Sequence, residues 1–351
     1  MFKRLLIGRR KQVFCLFDVT IGTDNLGDEI IMLYGRKAIA ELMDLSRYKE
    51  IDIATHTAPN EKELREIQRA DVRLVCGTNI ICPNLKKYSL WRFPENPRLY
   101  HDVIGMGIGM NSYGDIDEYS AAVYSNLFHK KLPVSVRDEY TKTMLGRIGM
   151  TNVINTHCVS MWNLKETHLH GIPEKKPENV VFTLTAHRRD RTSDLALIRM
   201  LRKNYRTVYF WPQGEKDLEY LRILEEEERT GKASAGSAAN ELLTSGAAAI
   251  VLPRTLSAFE NLLKKGDTDY IGTRLHGGIH ALNLKARSFI IIVDNRAAEI
   301  SRDTNLPCFS RQKDWSGLEK TIREPYRISL NINWQEIEKW KQAIRHYIAN
   351  V

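Results

Sequence analysis

The chain has 351 residues, 43% of them hydrophobic and 27% charged, a composition typical of a globular protein large enough for two domains. The sequence lacks a run of about 20 apolar residues, so we expect no membrane-spanning helix. The formal net charge of +9 favours phosphorylated or polyanionic partners, although a generally basic surface explains it equally well. Because no DNA- or RNA-binding motif accompanies the charge, we expect no nucleic-acid partner.

Two features of the sequence bear on location. Five scattered cysteines without a C-x-x-C pair argue against a disulfide framework and a zinc ribbon, and favour a reducing compartment. Five basic residues near the start are suited to touch an anionic membrane surface but are too few to anchor the chain: Lys3, Arg4, Arg9, Arg10 and Lys11. We therefore expect a cytoplasmic protein, with peripheral contact at the inner face of the cell membrane as a further hypothesis.

Strand-like and helix-like segments alternate along the chain. The first half begins with a strand at 13–19 and a helix at 28–43, and further strands are predicted at 48–55, 71–79, 101–110 and 132–138. A polar segment at 165–178 with two prolines and a glycine is the best linker candidate, and the alternation then restarts. This pattern predicts two Rossmann-like α/β domains that face a cleft, at 1–165 and 178–325. An amphipathic helix is predicted within residues 326–351.

The segment 269–280, DYIGTRLHGGIH, carries the most informative polar residues. A predicted strand ends in a loop that includes Gly272, Arg274 and Gly277, and a helix follows. The helix start suits an anion, Arg274 suits a phosphate or carboxylate, and His276 can transfer a proton near neutral pH. The alternative is a salt-bridged arginine with a capping histidine. A zinc site at His276 and His280 is not expected, because the glutamate of H-E-x-x-H is absent, so we predict no metal.

Three other strand ends offer polar groups to the predicted cleft. In the segment 19–31, Asn25, Gly27 and Asp28 follow the first strand, although Asp28 can equally be a helix cap. Arg137 ends an apolar strand at 132–138, and an exposed ion pair with the next residue is the alternative. Asn79 and Gln213 lie at strand tips where ordinary turns are also compatible with the sequence.

Taken in order, several motifs resemble those of the polysaccharide pyruvyl transferases. They are GTDNLGDE, VCGTN, VSVRD, NTHCVSMW, QGEKD and GTRLHGGIHAL, and together they span roughly residues 13–300. The resemblance implies a GT-B-like architecture with an acceptor side in the first domain and a donor side in the second. It implies transfer of an enolpyruvyl-derived unit from phosphoenolpyruvate to a sugar, which forms a pyruvate ketal on two hydroxyls and releases phosphate. The implied acceptor is a surface glycan precursor, such as a lipid-linked oligosaccharide.

The resemblance also assigns roles to residues. Arg274 and Arg137 match donor-binding positions, together with Gly272 and Gly277 of the RLH loop. His276 becomes the general acid that protonates the donor methylene. Asp28 is the candidate base or acceptor-binding group, with four residues lining the acceptor side or the cleft: Asn25, Gly27, Asn79 and Gln213. No cofactor is implied, because phosphoenolpyruvate is itself a co-substrate.

The sequence departs from the family pattern at three places, the first being CGTN where the family often has a Gly-Gly-Gly tip. Arg296 stands where a lysine often follows the last strand, which preserves charge but not the geometry of an ammonium group. The segment THCV replaces a more usual Cys-Pro arrangement.

A GT-B glycosyltransferase that uses a nucleotide sugar is the alternative function, although no acidic ribose clamp is apparent. A non-catalytic glycan-binding protein is a third hypothesis, which the presence of Arg274 and His276 disfavours.

Overall fold

The computed structural model describes residues 11–87, 90–230 and 248–351. Four of the five basic residues near the start, Lys3, Arg4, Arg9 and Arg10, lie outside these ranges, so the membrane contact stays a prediction. All five cysteines are described, and each has a free thiol. Among the helices of the described residues, none is both long enough and apolar enough to span a bilayer.

The first half of the chain forms a parallel sheet flanked by helices. Its central strands are ordered β2-β1-β3-β4, and β5 and β6 pair beyond them, joined to the segment after β4 by a bridge between Ile108 and Val136. The strand and helix bounds are β1 Gln12–Asp18, α1 Leu26–Leu42, β2 Tyr48–Ala54, α2 Glu61–Arg69, β3 Val72–Cys76, β4 Val103–Met106, α3 Glu118–Leu127, β5 Val134–Val136, α4 Glu139–Arg147, β6 Val153–Asn155 and α5 Glu166–Leu169.

The second half forms a six-stranded parallel sheet in the order β12-β11-β10-β7-β8-β9. Its elements are β7 Asn179–Thr183, α6 Arg191–Asn204, β8 Thr207–Phe210, α7 Glu215–Arg229, β9 Ile250–Val251, α8 Leu256–Leu263, β10 Thr268–Gly272, α9 Leu275–Asn283, β11 Ser288–Ile292, α10 Asn295–Thr304, β12 Cys308–Ser310, α11 Ser316–Arg323 and α12 Trp334–Asn350. The predicted α/β class and the terminal helix are confirmed. The polar segment at 165–178 contains the short helix α5, and the exact domain boundaries stay predictions.

Strand order explains why polar loops meet at one edge of each sheet. In the second sheet the order reverses between β7 and β10, and the loop with Arg274 and His276 leaves β10 at this point. In the first sheet the order reverses between β1 and β3, whose following loops carry Asp28 and Asn79. The crevice at such a switch point is where open α/β sheets bind ligands. The topology therefore places the residues singled out from the sequence beside two natural binding crevices.

Apolar contacts join the two halves of the molecule. Helix α1 packs against α9, and the phenol of Tyr34 lies 2.7 Å from Nδ1 of His280 in this interface. Helix α12 returns to the first half, where Trp340 is fully buried. Its indole N–H donates to the carbonyl of Pro133 at 3.0 Å, and its ring meets Trp162 at a centroid distance of 5.6 Å. The terminal helix therefore holds the returning chain against the first domain.

We predict that Trp340→Ala lowers the free energy of unfolding by about 3–5 kcal/mol, because it removes a fully buried indole and leaves a cavity. Urea denaturation of the full chain measures the change. Lys339→Ala is the matched control on the exposed face of α12, where a change within about 0.5 kcal/mol is expected. Equal unfolding curves for the two variants would contradict the packing role of α12.

Candidate active site

The loop after β10 is built around close approaches that only glycine permits. A Cβ at Gly272 would lie 2.3 Å from the hydroxyl of Thr183 on β7, and a Cβ at Gly277 would lie 2.5 Å from Nε2 of Gln213. Helix α9 begins at Leu275, inside the segment predicted as a loop, so His276 lies in its first turn. The two predicted donor-binding glycines thus make space for neighbouring side chains in this loop.

Arg137 lies at the end of β5, and three groups hold its guanidinium. It donates to the carboxylate of Asp138 at 2.9 Å, to the amide oxygen of Asn79 at 2.5 Å and to the carbonyl of Met110 at 2.6 Å. The guanidinium also covers Gly109, where a Cβ would lie 2.3 Å from its central carbon. Arg137 is only 2% exposed, so the alternative of an exposed ion pair is wrong. These contacts fix its orientation and leave two of five N–H groups for a ligand.

Asn79 reaches Arg137 because the preceding turn adopts an uncommon backbone. Gly77 and Thr78 have φ values of 66° and 59°, both in the left-handed region. A β-branched residue there is a conformational outlier, and such strain is often found at functional sites. The backbone N–H of Gly109 stabilises the turn by donating to the carbonyl of Thr78 at 3.0 Å. The VCGTN motif is therefore a shaped tip that directs Asn79 to the arginine.

Arg296 lies in the first turn of α10 and is paired with the residue that caps this helix. Asp294 accepts from Nη2 of Arg296 at 2.6 Å, from Nε at 3.1 Å and from the backbone N–H of Arg296 at 3.0 Å. Burial alone would raise the pKa of Asp294, but the charge and hydrogen bonds of Arg296 outweigh burial and lower the pKa to about 2. Asp294 is therefore ionised and orients Arg296.

Arg274 caps the start of α9 and is also held by a carboxylate. Its Nη2 atom donates to both oxygens of Asp217 at 2.7 and 2.5 Å, and its Nε donates to the carbonyl of Leu184 at 3.2 Å. Asp217 is 1% exposed and also accepts from the backbone N–H groups of Ala186, Gln213 and Gly214. Arg274 is thus salt-bridged, which was the alternative to a free ligand-binding group, and one Nη1 group remains without such a contact in the described structure.

Asp28 lies in the first turn of α1, and Asn25 rather than Asp28 caps that helix. The amide oxygen of Asn25 accepts from the backbone N–H of Gly27 at 3.1 Å, so the alternative role of Asp28 as the cap is wrong. Asn25 and Thr23 each donate to the carboxylate of Asp28 at 3.2 Å. Burial raises the pKa of Asp28, and the charges of Arg296 and His56 oppose the rise. Asp28 is therefore a stronger base than an exposed aspartate.

His276 lies among the charged groups of both domains. Burial and, to a smaller extent, the charges of Arg296 and Arg137 together lower the pKa of His276 to about 3, with the charge of Asp294 opposing them. We find no hydrogen bond between its imidazole and the described residues. The lowered pKa keeps the imidazole neutral at pH 7. An anion beside it would offset the two arginines and raise its pKa.

Two other predicted groups have distinct environments. Gln213 is 1% exposed, and its Nε2 atom has no hydrogen-bond partner among the residues that the structure describes. His280 contacts Tyr34 through Nδ1 and Glu260 through Nε2 at 3.2 Å, so both ring nitrogens are engaged within the protein. Both nitrogens of His280 therefore serve contacts between α9 and its neighbours.

Sequence reasoning missed the carboxylates that orient the arginines. Asp217 was inside the QGEKD motif and Asp294 preceded α10, but neither was singled out. An aspartate just before a helix with an arginine two residues later is a signal that would have found Asp294. No local signal connects Asp217 with Arg274, because 57 positions separate them in the chain. The cluster combines His276 and Arg296 of the second half with residues of the first half: Asp28, Asn79 and Arg137.

We predict that Asp217→Ala destabilises the protein by about 3–5 kcal/mol, because it leaves Arg274 and three backbone N–H groups without their acceptor. Chemical denaturation measures the loss. Glu219→Ala on the exposed side of the same helix is the control, with an expected change within about 0.5 kcal/mol. A loss of similar size in both variants would show that the carboxylate has no special role.

We predict that the His276 imidazole of the ligand-free protein stays neutral until the pH approaches about 3. The unfolded chain protonates this group near the ordinary value of 6.5, so it binds more protons than the native state between these values. His276 therefore contributes a loss of stability as the pH falls through this window. NMR titration of the imidazole carbons, assigned with His276→Asn, measures the pKa. An imidazolium signal at pH 6 would contradict the prediction.

Two solved structures were found whose fold is similar to that of this chain. A sequence search of curated proteins gave no match. The UDP-GlcNAc 2-epimerase of Methanocaldococcus jannaschii, solved with UDP-GlcNAc and UDP, has a similar fold with a TM-score of 0.50 and 9% identity, over 97% of this chain and 99% of that one. A glycosyltransferase from Rickettsia africae aligns with a TM-score of 0.45 and 12% sequence identity, over 97% of this chain and 94% of that one. The similarity to the epimerase structure confirms the predicted GT-B-like fold class.

A family model supplies the more specific relationship. The model for polysaccharide pyruvyl transferases matches residues 25–295, which is well over half of the chain. The matched range contains the site residues from Asn25 to His276 and ends at Asn295, one position before Arg296. The resemblance drawn from the motifs is confirmed, and the chain belongs to the polysaccharide pyruvyl transferase family.

Proposed function

We propose that the protein forms a pyruvate ketal on two hydroxyls of a surface-glycan precursor, with phosphoenolpyruvate as the donor and phosphate as the leaving group. The observation that carries the proposal is the cluster of Arg137, Arg296 and His276, which both domains contribute to. Phosphoenolpyruvate bears a phosphate and a carboxylate, so it suits a site with two oriented guanidinium groups. Family membership supports the reaction class, and the cationic cluster supports this donor.

In the proposed reaction, His276 is the general acid. The donor needs a proton at its methylene carbon, which leaves positive charge at the adjacent carbon and lets a sugar hydroxyl attack there. The free imidazole is neutral, but the donor's negative charges beside it raise its pKa and favour the imidazolium. Binding of the donor thus prepares the acid. Departure of phosphate then creates the second electrophilic centre, which the second hydroxyl attacks.

The hydroxyl protons need an acceptor, and Asp28 is the proposed base. Its raised pKa makes it a better proton acceptor than an exposed aspartate, and it lies near enough to Arg296 for their charges to interact. Two hydroxyl protons are released for each ketal: one balances the proton added to the methylene and the other balances the departing phosphate. The reaction requires no metal or nucleotide, so we propose none.

The remaining predicted residues serve as donor or acceptor contacts in this proposal. Arg274 has a guanidinium N–H beyond those used by Asp217, and the unpaired amide of Gln213 lies beside the first turn of α9. Both groups are suited to donate to donor oxygens. Asn25, Asn79 and Gly27 flank Asp28 and Arg137 on the acceptor side. We further propose that the acceptor is lipid-linked and is modified at the cytoplasmic face of the membrane.

We predict that His276→Ala lowers kcat for phosphate release from phosphoenolpyruvate by at least about 100-fold, because the general acid is lost. The assay combines the full chain, phosphoenolpyruvate and lipid-linked glycan precursors from the source organism. His101→Ala, a change at an exposed histidine, is the matched control and should retain activity. If no precursor stimulates phosphate release, the proposed donor chemistry is wrong.

A thermal-shift comparison in the same preparation tests the alternative of a nucleotide-sugar donor. Phosphoenolpyruvate should raise Tm in the wild-type protein, because a ligand bound only to the native state stabilises it. Arg137→Gln and Arg296→Gln should each weaken this shift. A shift with UDP- or GDP-sugars and none with phosphoenolpyruvate would favour the glycosyltransferase.

A further inference from the structure

A cavity separate from the cluster around His276 lies at the junction of the two domains. It has a volume of about 920 Å³, which is within the usual range for small-molecule sites. One wall is the first domain around β6, α4 and α5, another is Asp303 of α10, and the third is the segment that returns the chain to α12. The lining includes charged and aromatic side chains, namely Glu139, His157, Glu166, Asp303, Arg327 and Trp334.

His157 is the unusual residue of this cavity. Its φ of 60° lies in the left-handed region, which is uncommon for a residue other than glycine. The side chain is 5% exposed, and its Nδ1 atom is buried with no hydrogen-bond partner among the described residues. Burial lowers the pKa of His157 to about 4, so the ring is neutral at pH 7. Backbone strain and an unpaired buried nitrogen together point to a ligand-binding role.

The charges of the lining disfavour an anionic ligand. Three carboxylates, those of Glu139, Glu166 and Asp303, face one guanidinium, that of Arg327. An anion such as phosphoenolpyruvate would be repelled, which separates this cavity from the cationic cluster around His276. A neutral or cationic molecule is compatible with the lining.

The polar and aromatic groups narrow the ligand further. The side chains of Asn331 and Asn333 and the backbone of residues 328–333 line the cavity with both donors and acceptors. Trp334 adds a flat apolar ring at the start of α12. A polyhydroxylated ring with polar edges and an apolar face matches such a lining. We propose that this cavity binds a neutral saccharide unit that is distinct from the sugar that reacts.

The position of the cavity suggests how the saccharide relates to the reaction. Glu139 in the lining is two residues from Arg137 of the cationic cluster, and the intervening Asp138 interacts with His157 through its charge. The cavity is therefore next to the cluster but has the opposite charge. The choice of a sugar among polyhydroxylated ligands rests on the proposed glycan acceptor, and the occupant is then a neighbouring unit of the same glycan.

Saturation-transfer NMR and calorimetry on the full chain test the proposal. The probes are cellotriose, mannotriose, galactotriose and N-acetylated chitotriose, without phosphoenolpyruvate. At least one should bind, and His157→Asn should weaken it about fivefold or more, because asparagine tolerates the left-handed backbone but removes the imidazole. Asn331→Ala, from the opposite wall, should also weaken it. His101→Asn is the matched control with unchanged affinity, since His101 does not line the cavity.

The outcomes separate this inference from the proposed function. If none of the trisaccharides binds, or if binding is the same in His157→Asn, Asn331→Ala and wild type, the cavity is not a saccharide site. Either result leaves phosphate release from phosphoenolpyruvate as an independent test of the reaction. Saccharide binding that depends on His157, in a protein without phosphoenolpyruvate turnover, would support the cavity site while overturning the proposed donor.

Discussion

The candidate site depends on guanidinium groups that are oriented by buried carboxylates. Arg137 is paired with Asp138, Arg274 with Asp217, and Arg296 with Asp294. A buried arginine without a partner is costly, so each carboxylate both offsets the burial and fixes the direction of the remaining N–H groups. Pre-orientation of this kind reduces the entropy lost when an anion binds. The three pairs therefore combine a structural role with the binding role that we propose.

In the proposed reaction, the same arginines also link the pKa of His276 to binding of the donor. The two arginines that suit a donor anion are among the groups that keep His276 neutral in the free protein. In the proposed reaction, a bound donor anion offsets the charges of these arginines and raises the pKa of His276. Since Arg137 and Arg296 belong to different halves of the molecule, this effect on His276 requires the two domains to keep a fixed relative position. Contacts across the junction, including the donation from Asn295 to the carbonyl of Met110 at 3.3 Å, serve that purpose.

Much of the fold followed from local patterns. The alternation of apolar strands and helices predicted the α/β class, because buried parallel strands read as continuous apolar runs. The predicted helix starts were less accurate. Helix α1 begins two residues before the prediction, and α9 begins within the segment predicted as a loop. At these points the capping side chain or loop packing defines the start, and apolar periodicity carries little information about it. The departure THCV had no explanation in the sequence, and His157 now has a defined place in a cavity wall.

The sequence by itself determined the class of fold, the family and the residues at the strand ends, because these depend on short-range periodicity and ordered motifs. Only the tertiary structure decided which of these residues meet. It brought Arg296 to His276 within the second half and to Asp28 across the domain junction, and it paired Arg274 with Asp217 over 57 positions. It also lowered the pKa of His276. Burial and charge proximity are properties of the packed chain, so no local pattern encodes them.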